Sequence, residues 1–224
     1  MKLILAKIED LEASFSLLPN IFHQRALSFA PGRRNSFLAG RALLFEALKT
    51  FYQINEFPQI CKNEHGKPFF LDECLPNFNI SHTKDMIGLV LSSEVIGIDL
   101  EVLRNTKEDL WERFLSENEV NALKGAENKE VLFTRFWTIR EAVLKASGEG
   151  LSGLHFVKIF PEEKKVKYAT LQRGKVLQYF RDDLKLIISL FIPLSDDLED
   201  TFLFKGQQFH KIELADPQIF LVNS

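Results

Sequence analysis

FNISHTKDMIGLVLSSEVIGIDLE, residues 78–101, sets the terms on which the rest of the chain is read. Its middle is a β-rich strand pair, with His82 near one end and Asp99 and Glu101 at the other. In an extended strand, residues i and i+2 point to one face, about 7 Å apart by strand rise. Asp99 and Glu101 therefore aim together, with Ile96, Ile98 and Leu100 filling in around them. Two carboxylates converging beside apolar neighbours repel each other unless something positive lies between. Mg²⁺ is an economical answer, because it takes a few carboxylates together with waters and phosphate oxygens. An exposed strand end is the other answer, and the letters D-x-E leave both open.

On either side of this segment the pattern is mixed. MKLILAKI reads as a first strand, followed by a helical segment near residues 19–29. In PGRRNSFLAGRALLFEALKTFYQIN, Phe37, Arg41, Leu44 and Leu48 recur at helical spacing. NEHGKPFF is a turn marked by Gly66 and Pro68. Short strands are expected at 77–80, 86–92 and 95–101. SENEVNALKGA looks like a short helix opening on a capping box from Ser116 to Glu119. KEVLFTRFWTIREAVLKASGEGL is a second long helix with Gly148 placed to cap its end. The last third alternates charged turns with β-rich runs: FVKIF, KVKYATL, KVLQYF and LKLIISLFI.

FLAGRALLFEALK and FWTIREAVLKASG superpose with Phe37 on Phe136 and Arg41 on Arg140, each followed by β-rich sequence. No Pro/Ser-rich linker separates them. The expectation is an α+β fold of two similar halves, residues 1–102 and 103–224, each a long helix packed on a small antiparallel sheet.

Composition narrows the function classes. The 224 residues suffice for a sizeable core, and 46% hydrophobic with 26% charged content is ordinary for a globular protein. The 21 Phe against three Tyr and two Trp imply Phe-filled cores or a partly exposed aromatic docking surface. A net charge of −3 offers no global basic field for nucleic acid or an anionic membrane, so any anion site must be a local cluster of Lys and Arg. The opening shows no signal-peptide pattern, and no run approaches the roughly 20 apolar residues of a membrane span. Cys61 and Cys74 form no CxxC, and the five His lack metal-ligand spacing. A cytoplasmic location is expected.

The second long helix adds chemistry. Glu141 and Lys145 lie four residues apart on one helix face. A surface salt bridge is the plain reading of such a pair. Here the helix also carries Phe136, Trp137, Ala142, Val143, Leu144 and Ala146, so much of its circumference is apolar and the pair can face a cleft.

Taken together, Asn79-Ile80-Ser81-His82, Gly97 to Glu101, and a helix with Trp137, Glu141 and Lys145 in order resemble the 4′-phosphopantetheinyl transferases. The likeness is to the larger, two-halved branch that modifies synthase carrier domains, and FLAGRALL and the HGKP turn fit its order. It spans residues 19 to 155.

The resemblance implies an active site between the halves, with coenzyme A as co-substrate. Asp99, Glu101 and Glu141 would hold Mg²⁺ on its pyrophosphate. A serine of an apo acyl or peptidyl carrier protein would attack, and 3′,5′-ADP would leave. Glu141 would be the base and Lys145 would neutralise the leaving phosphate. His82, Ser81, Lys67, Arg41 and Arg34, with Arg33 beside it, would contact phosphate. Residue-level alternatives remain: a backbone-satisfied His82, a solvated Lys67, a solvated helix start for Arg33 and Arg34, and a cap rather than a metal ligand for Glu119. Arg140 stands where the family often has Lys, and Phe45 where it has a basic residue. Both bear on coenzyme A affinity. A chain carrying both halves is expected to act as a monomer. The alternatives in kind are a non-catalytic module that binds carrier domains or coenzyme A, and a Mg²⁺-dependent phosphohydrolase. The carrier could serve fatty acid, polyketide or nonribosomal peptide synthesis.

Overall fold

The computed structural model describes residues 1–103, 111 and 113–223. The chain opens with β1 (Lys2–Lys7), α1 (Ile8–Leu11), α2 (Asn20–Ala26) and the long α3 (Pro31–Tyr52). A hairpin of β2 (Ile60–Lys62) and β3 (Pro68–Phe70) leads into β4 (Asn77–Thr83), β5 (Met86–Ser92) and β6 (Gly97–Val102). After α4 (Glu117–Lys124) and α5 (Lys129–Ser147) come β7 (Lys158–Phe160), β8 (Lys165–Lys167), β9 (Gly174–Arg181) and β10 (Leu186–Pro193). β11 (Asp200–Lys205), β12 (Gln208–Ile212) and β13 (Gln218–Val222) close the described chain.

The long helices start and stop where their chemistry requires. Pro31 opens α3, where its missing N–H costs nothing, and Gln53 ends it in the left-handed region at φ 59°. The Asn128 side chain accepts from the Val131 N–H at the start of α5, and Gly148, at φ 79°, caps its end through Leu144 O.

The strands form an α+β arrangement of two main sheets. One runs β12-β11-β1-β5-β4 and the other β6-β10-β9-β13-β8-β7. Side-chain parity explains how they stack. Ile4, Ala6, Ile87 and Leu89 pack under α3, while Leu3, Leu5, Met86 and Val90 turn the other way. These second faces meet Ile98, Leu100, Leu177, Leu186, Ile188 and Leu190 of the second sheet. Its remaining face, with Val176 and Phe191, lies under α5. The layers thus run helix, sheet, sheet, helix, and burial of each strand on both faces accounts for the unbroken apolar letters of β5 and β10.

Two glycines permit close approach. A Cβ on Gly88 would overlap Leu100 Cδ2 across the sheets, and one on Gly97 would meet the α5 backbone at Ala142 O and Ala146 N. The second has no side chain that could yield.

Several features depart from expectation. β6 is an edge strand of the second sheet, with Asp99 opposite Ser189 and Glu101 opposite Ile187. β11 pairs in parallel with β1, and β12 follows it into the first sheet. Sheet membership therefore crosses residue 102 in both directions. Nor are the sheets purely antiparallel, since β1–β11 and β8–β13 run parallel. Among the described residues no helix is long and apolar enough to cross a membrane.

Candidate active site

A cleft of about 530 Å³ opens beside the line where the two sheets adjoin. α3 contributes Arg33, Phe37, Gly40 and Arg41, and the 65–68 turn contributes Lys67. β4 adds Asn79, Ile80 and His82, and α5 adds Glu141, Leu144 and Lys145. Helical periodicity delivers the last group: positions 141, 144, 145 and 148 share one face of α5, while Phe136, Ile139 and Val143 enter the core.

Behind this wall stand the two strand acids, Asp99 at 4% and Glu101 at 7% exposure. Asp99 Oδ1 accepts from Lys145 Nζ at 2.7 Å and from Ser81 Oγ at 2.7 Å, and Lys145 Nζ also reaches Ser81 Oγ at 2.8 Å. Glu101 Oε2 accepts from Thr83 Oγ1 at 2.7 Å. The other oxygen of Asp99, Oδ2, is buried with no hydrogen-bond partner.

A buried carboxylate oxygen without a partner is costly, and a cation relieves that cost. Hard oxygen donors at Asp99, Glu101 and Glu141 have the chemistry Mg²⁺ prefers. The set is not gathered beforehand. Among the described residues no three of His, Cys, Asp and Glu stand together as a metal cage. Lys145 supplies the positive charge at Asp99 instead.

Cations dominate the other side of the cleft. Arg41 rests against the rings of Phe37 at 5.4 Å and Phe78 at 6.0 Å, and its Nε is buried without a partner. Burial, and then the charge of Arg25, lower its pKa to about 10. Arg33 lies over Phe29 at 4.9 Å and Arg25 over Phe37 at 5.9 Å. Lys62 is held below its ordinary value by burial and then by Arg25, Arg41 and Arg33. Four cations from three elements, α2, α3 and β2, thus repel one another, with Arg33 and Arg41 lining the cleft itself. Such a set is stabilised by an anion.

Burial brings the Lys67 ammonium down to about 8. His82, although exposed, is pushed below its ordinary 6.5 by partial desolvation, then by Lys145 and Arg33, with Asp99 opposing.

The sequence-expected residues divide into several groups. Arg41, Lys67, His82, Glu141 and Lys145 line the cleft together. Ser81 is turned to Asp99 and Lys145. Lys67 donates to Ala146 O at 2.8 Å, so with Asn63, which donates to Gly148 O at 3.0 Å, it ties the turn to the carbonyl end of α5. Arg34 is not among the lining residues: its Nε and Nη2 donate to Phe29 O and Leu27 O. Arg33 lies in the cleft wall in its stead.

Glu119 is fully buried and bidentate to Arg140, both bonds at 2.7 Å, and it completes the capping box with Ser116. Arg140 further donates to Leu154 O and Val157 O. It points away from the cleft, so its difference from Lys concerns this buried pair rather than ligand affinity.

Arg25, Lys62, Phe29 and Thr83 were not singled out from sequence. Arg25 and Phe29 share one short segment, but Lys62 and Thr83 come from others, and no local spacing connects the three segments. The alternation of Asn79, Ser81 and Thr83 along β4 was a signal available for Thr83.

Fold and cleft together define a class: an α+β protein with a cation-rich cleft backed by buried acids. The family model described as the 4′-phosphopantetheinyl transferase superfamily matches residues 95–189. A Haemophilus influenzae protein provisionally named a 4′-phosphopantetheinyl transferase is 30% identical over 189 residues, 81% of this chain and 79% of its own. The 4′-phosphopantetheinyl transferase AcpT of Escherichia coli is 36% identical over 155 residues, 66% of this chain and 73% of its own. HetI of Nostoc, a 4′-phosphopantetheinyl transferase by name, is 32% identical over 69% of this chain and 70% of its own. The chain belongs to the 4′-phosphopantetheinyl transferase superfamily.

Proposed function

We propose that the protein transfers the 4′-phosphopantetheine group of coenzyme A to a serine of an apo carrier protein and releases 3′,5′-ADP. The observation that carries this reading is Arg41: a half-buried arginine whose Nε is buried and unpartnered, amid other cations, in a cleft that ends at Glu141 and Lys145. An ADP-like polyanion answers that cluster, and the acid and lysine beyond it answer a pyrophosphate.

In this reading Arg41 and Arg33 take the outer phosphate, while His82 and Lys67 lie along the path to the pyrophosphate. The serine Oγ bonds to the phosphorus nearer the pantetheine arm, and the bond from that phosphorus to the leaving ADP oxygen breaks. Glu141 accepts the serine proton, and Lys145 stands over the developing charge on the leaving phosphate. Asp99 Oδ2, Glu101 and Glu141 would hold Mg²⁺, which neutralises pyrophosphate charge when bound. Two similar halves, each a long helix on a sheet, would frame this cleft within one polypeptide, so the protein works as a cytoplasmic monomer. Carrier recognition combines apolar contact with local charge, for which the exposed Phe156 is one candidate.

Incubation with coenzyme A, Mg²⁺ and a panel of apo carriers, read by intact mass, tests the proposal. A carrier should gain the phosphopantetheine mass with the wild type and not with Asp99→Ala. Full activity in Asp99→Ala would sink the mechanism. Tight coenzyme A binding with no transfer to any carrier would favour a binding module instead.

A further inference from the structure

β4 and β6 are edge strands of two different sheets, and side chains of β4 reach β6 where a main-chain ladder would otherwise run. Asn79 Oδ1 accepts the Ile98 N–H at 3.0 Å, and Ser81 Oγ donates to Asp99 Oδ1 at 2.7 Å. Thr83 Oγ1 donates to Glu101 Oε2 at 2.7 Å and accepts the Val102 N–H at 3.4 Å. The three β4 residues are 4–5% exposed, so these bonds compete little with water. Alternation along one strand thus matches alternation along the other, hydroxyl to carboxylate.

We propose that Thr83 and Ser81 are positioning residues that set the two strand acids for a divalent cation. The inference rests on the metal-holding role proposed above for Asp99 and Glu101. A carboxylate pinned through one oxygen has its torsion fixed, and its second oxygen is presented in one direction. For these two side chains, the freedom that would otherwise be lost on metal binding is then removed beforehand, and only Glu141 has still to join them. Thr83 matters more than Ser81 because Glu101 has one more side-chain torsion than Asp99 for a hydroxyl to fix. Ser81 accordingly acts through Asp99 and Lys145 rather than by touching phosphate.

The test uses the full chain with coenzyme A present and Mn²⁺ as the probe ion, titrated by electron paramagnetic resonance. Thr83→Val keeps the shape and removes the hydroxyl. It should weaken Mn²⁺ about tenfold or more, raise the Mg²⁺ concentration for half-maximal transfer, and leave coenzyme A affinity in EDTA unchanged. Thr83→Ser should restore metal affinity, and Ser81→Ala should lose less than Thr83→Val. Should Thr83→Val melt too low to titrate, Thr83→Ala compared with Thr83→Ser makes the same measurement. Wild-type Mn²⁺ affinity in Thr83→Val, an equal loss in Thr83→Ser, or no Mn²⁺ binding by the wild type would each overturn the inference. Thr83-dependent Mn²⁺ binding in a chain that modifies no carrier would uphold it while ending the transferase reading. Carrier modification with metal affinity indifferent to Thr83 would do the reverse.

Discussion

A guanidinium beside a cleft can be satisfied by a carboxylate, by water or by a ligand's anion. Arg41 has two aromatic rings against it and no partner at Nε, so the free protein holds a desolvated charge that the bound state would relieve. Arg41→Met keeps apolar contact with Phe37 and removes that charge. It should stabilise the free protein by on the order of 1 kcal/mol while weakening coenzyme A more than tenfold. Paired thermal melts and calorimetry check both signs. Lys67 yields a pH signature. Its folded value near 8 lies below the ordinary 10.5, so its desolvation penalty is complete below pH 8 and fades as pH rises toward 10.5. A phosphate beside it reverses the shift, because opposite charge favours the protonated form. Coenzyme A binding at pH 8 should therefore take up about half a proton at Lys67. Affinity should fall as pH climbs through 8. Calorimetry in buffers of different ionisation enthalpy reads the uptake directly.

Asp99 with Glu101, and Glu141 with Lys145, could be placed on common faces from the letters because strand and helix periodicity are local properties, while the resemblance alone assigned them to one site. Acids two apart on a strand share a face, and residues four apart on a helix stack. Thr83 and the Arg25–Lys62 pair could not be picked out so readily, because their partners come from other sheets and segments. The same holds for β11 and β12. Gly206 and Gln207 both sit at positive φ in a two-residue hairpin loop, a local turn signature that is weak without Asn. Nothing nearby announces that this hairpin returns to β1. At Glu119 the alternatives were a metal ligand or a cap, and the buried pair with Arg140 separates them by experiment. Glu119→Gln leaves Arg140 buried with its charge uncompensated, which should cost about 3–5 kcal/mol. The folded fraction should keep its kcat and its Mg²⁺ dependence. Urea denaturation run beside metal titration of the transfer reaction checks this, and a shifted metal requirement would place Glu119 at the ion instead.

β6 ends at residue 102 yet pairs with β10, and β11 lies beyond it yet pairs with β1. A polypeptide cut after residue 102 is thus left with β6 lacking its neighbour and β1 with one open edge. Neither piece should fold alone. The intact protein should unfold in one transition, with near- and far-ultraviolet circular dichroism superposing. A folded 1–102 fragment, seen as dispersed amide resonances, would contradict the exchange of strands as the basis of stability.

That exchange also constrains the protein as it leaves the ribosome. β1 waits for a hairpin, β11 and β12, that begins only at Asp200. At about 5–20 residues per second, translation leaves the β1 edge open for roughly ten seconds after β5 has appeared. During that time the nascent chain presents an unsatisfied apolar strand to its surroundings. Synonymous slow codons between the stretches encoding β10 and β11 should lengthen that exposure and lower soluble yield, with no change in the finished protein.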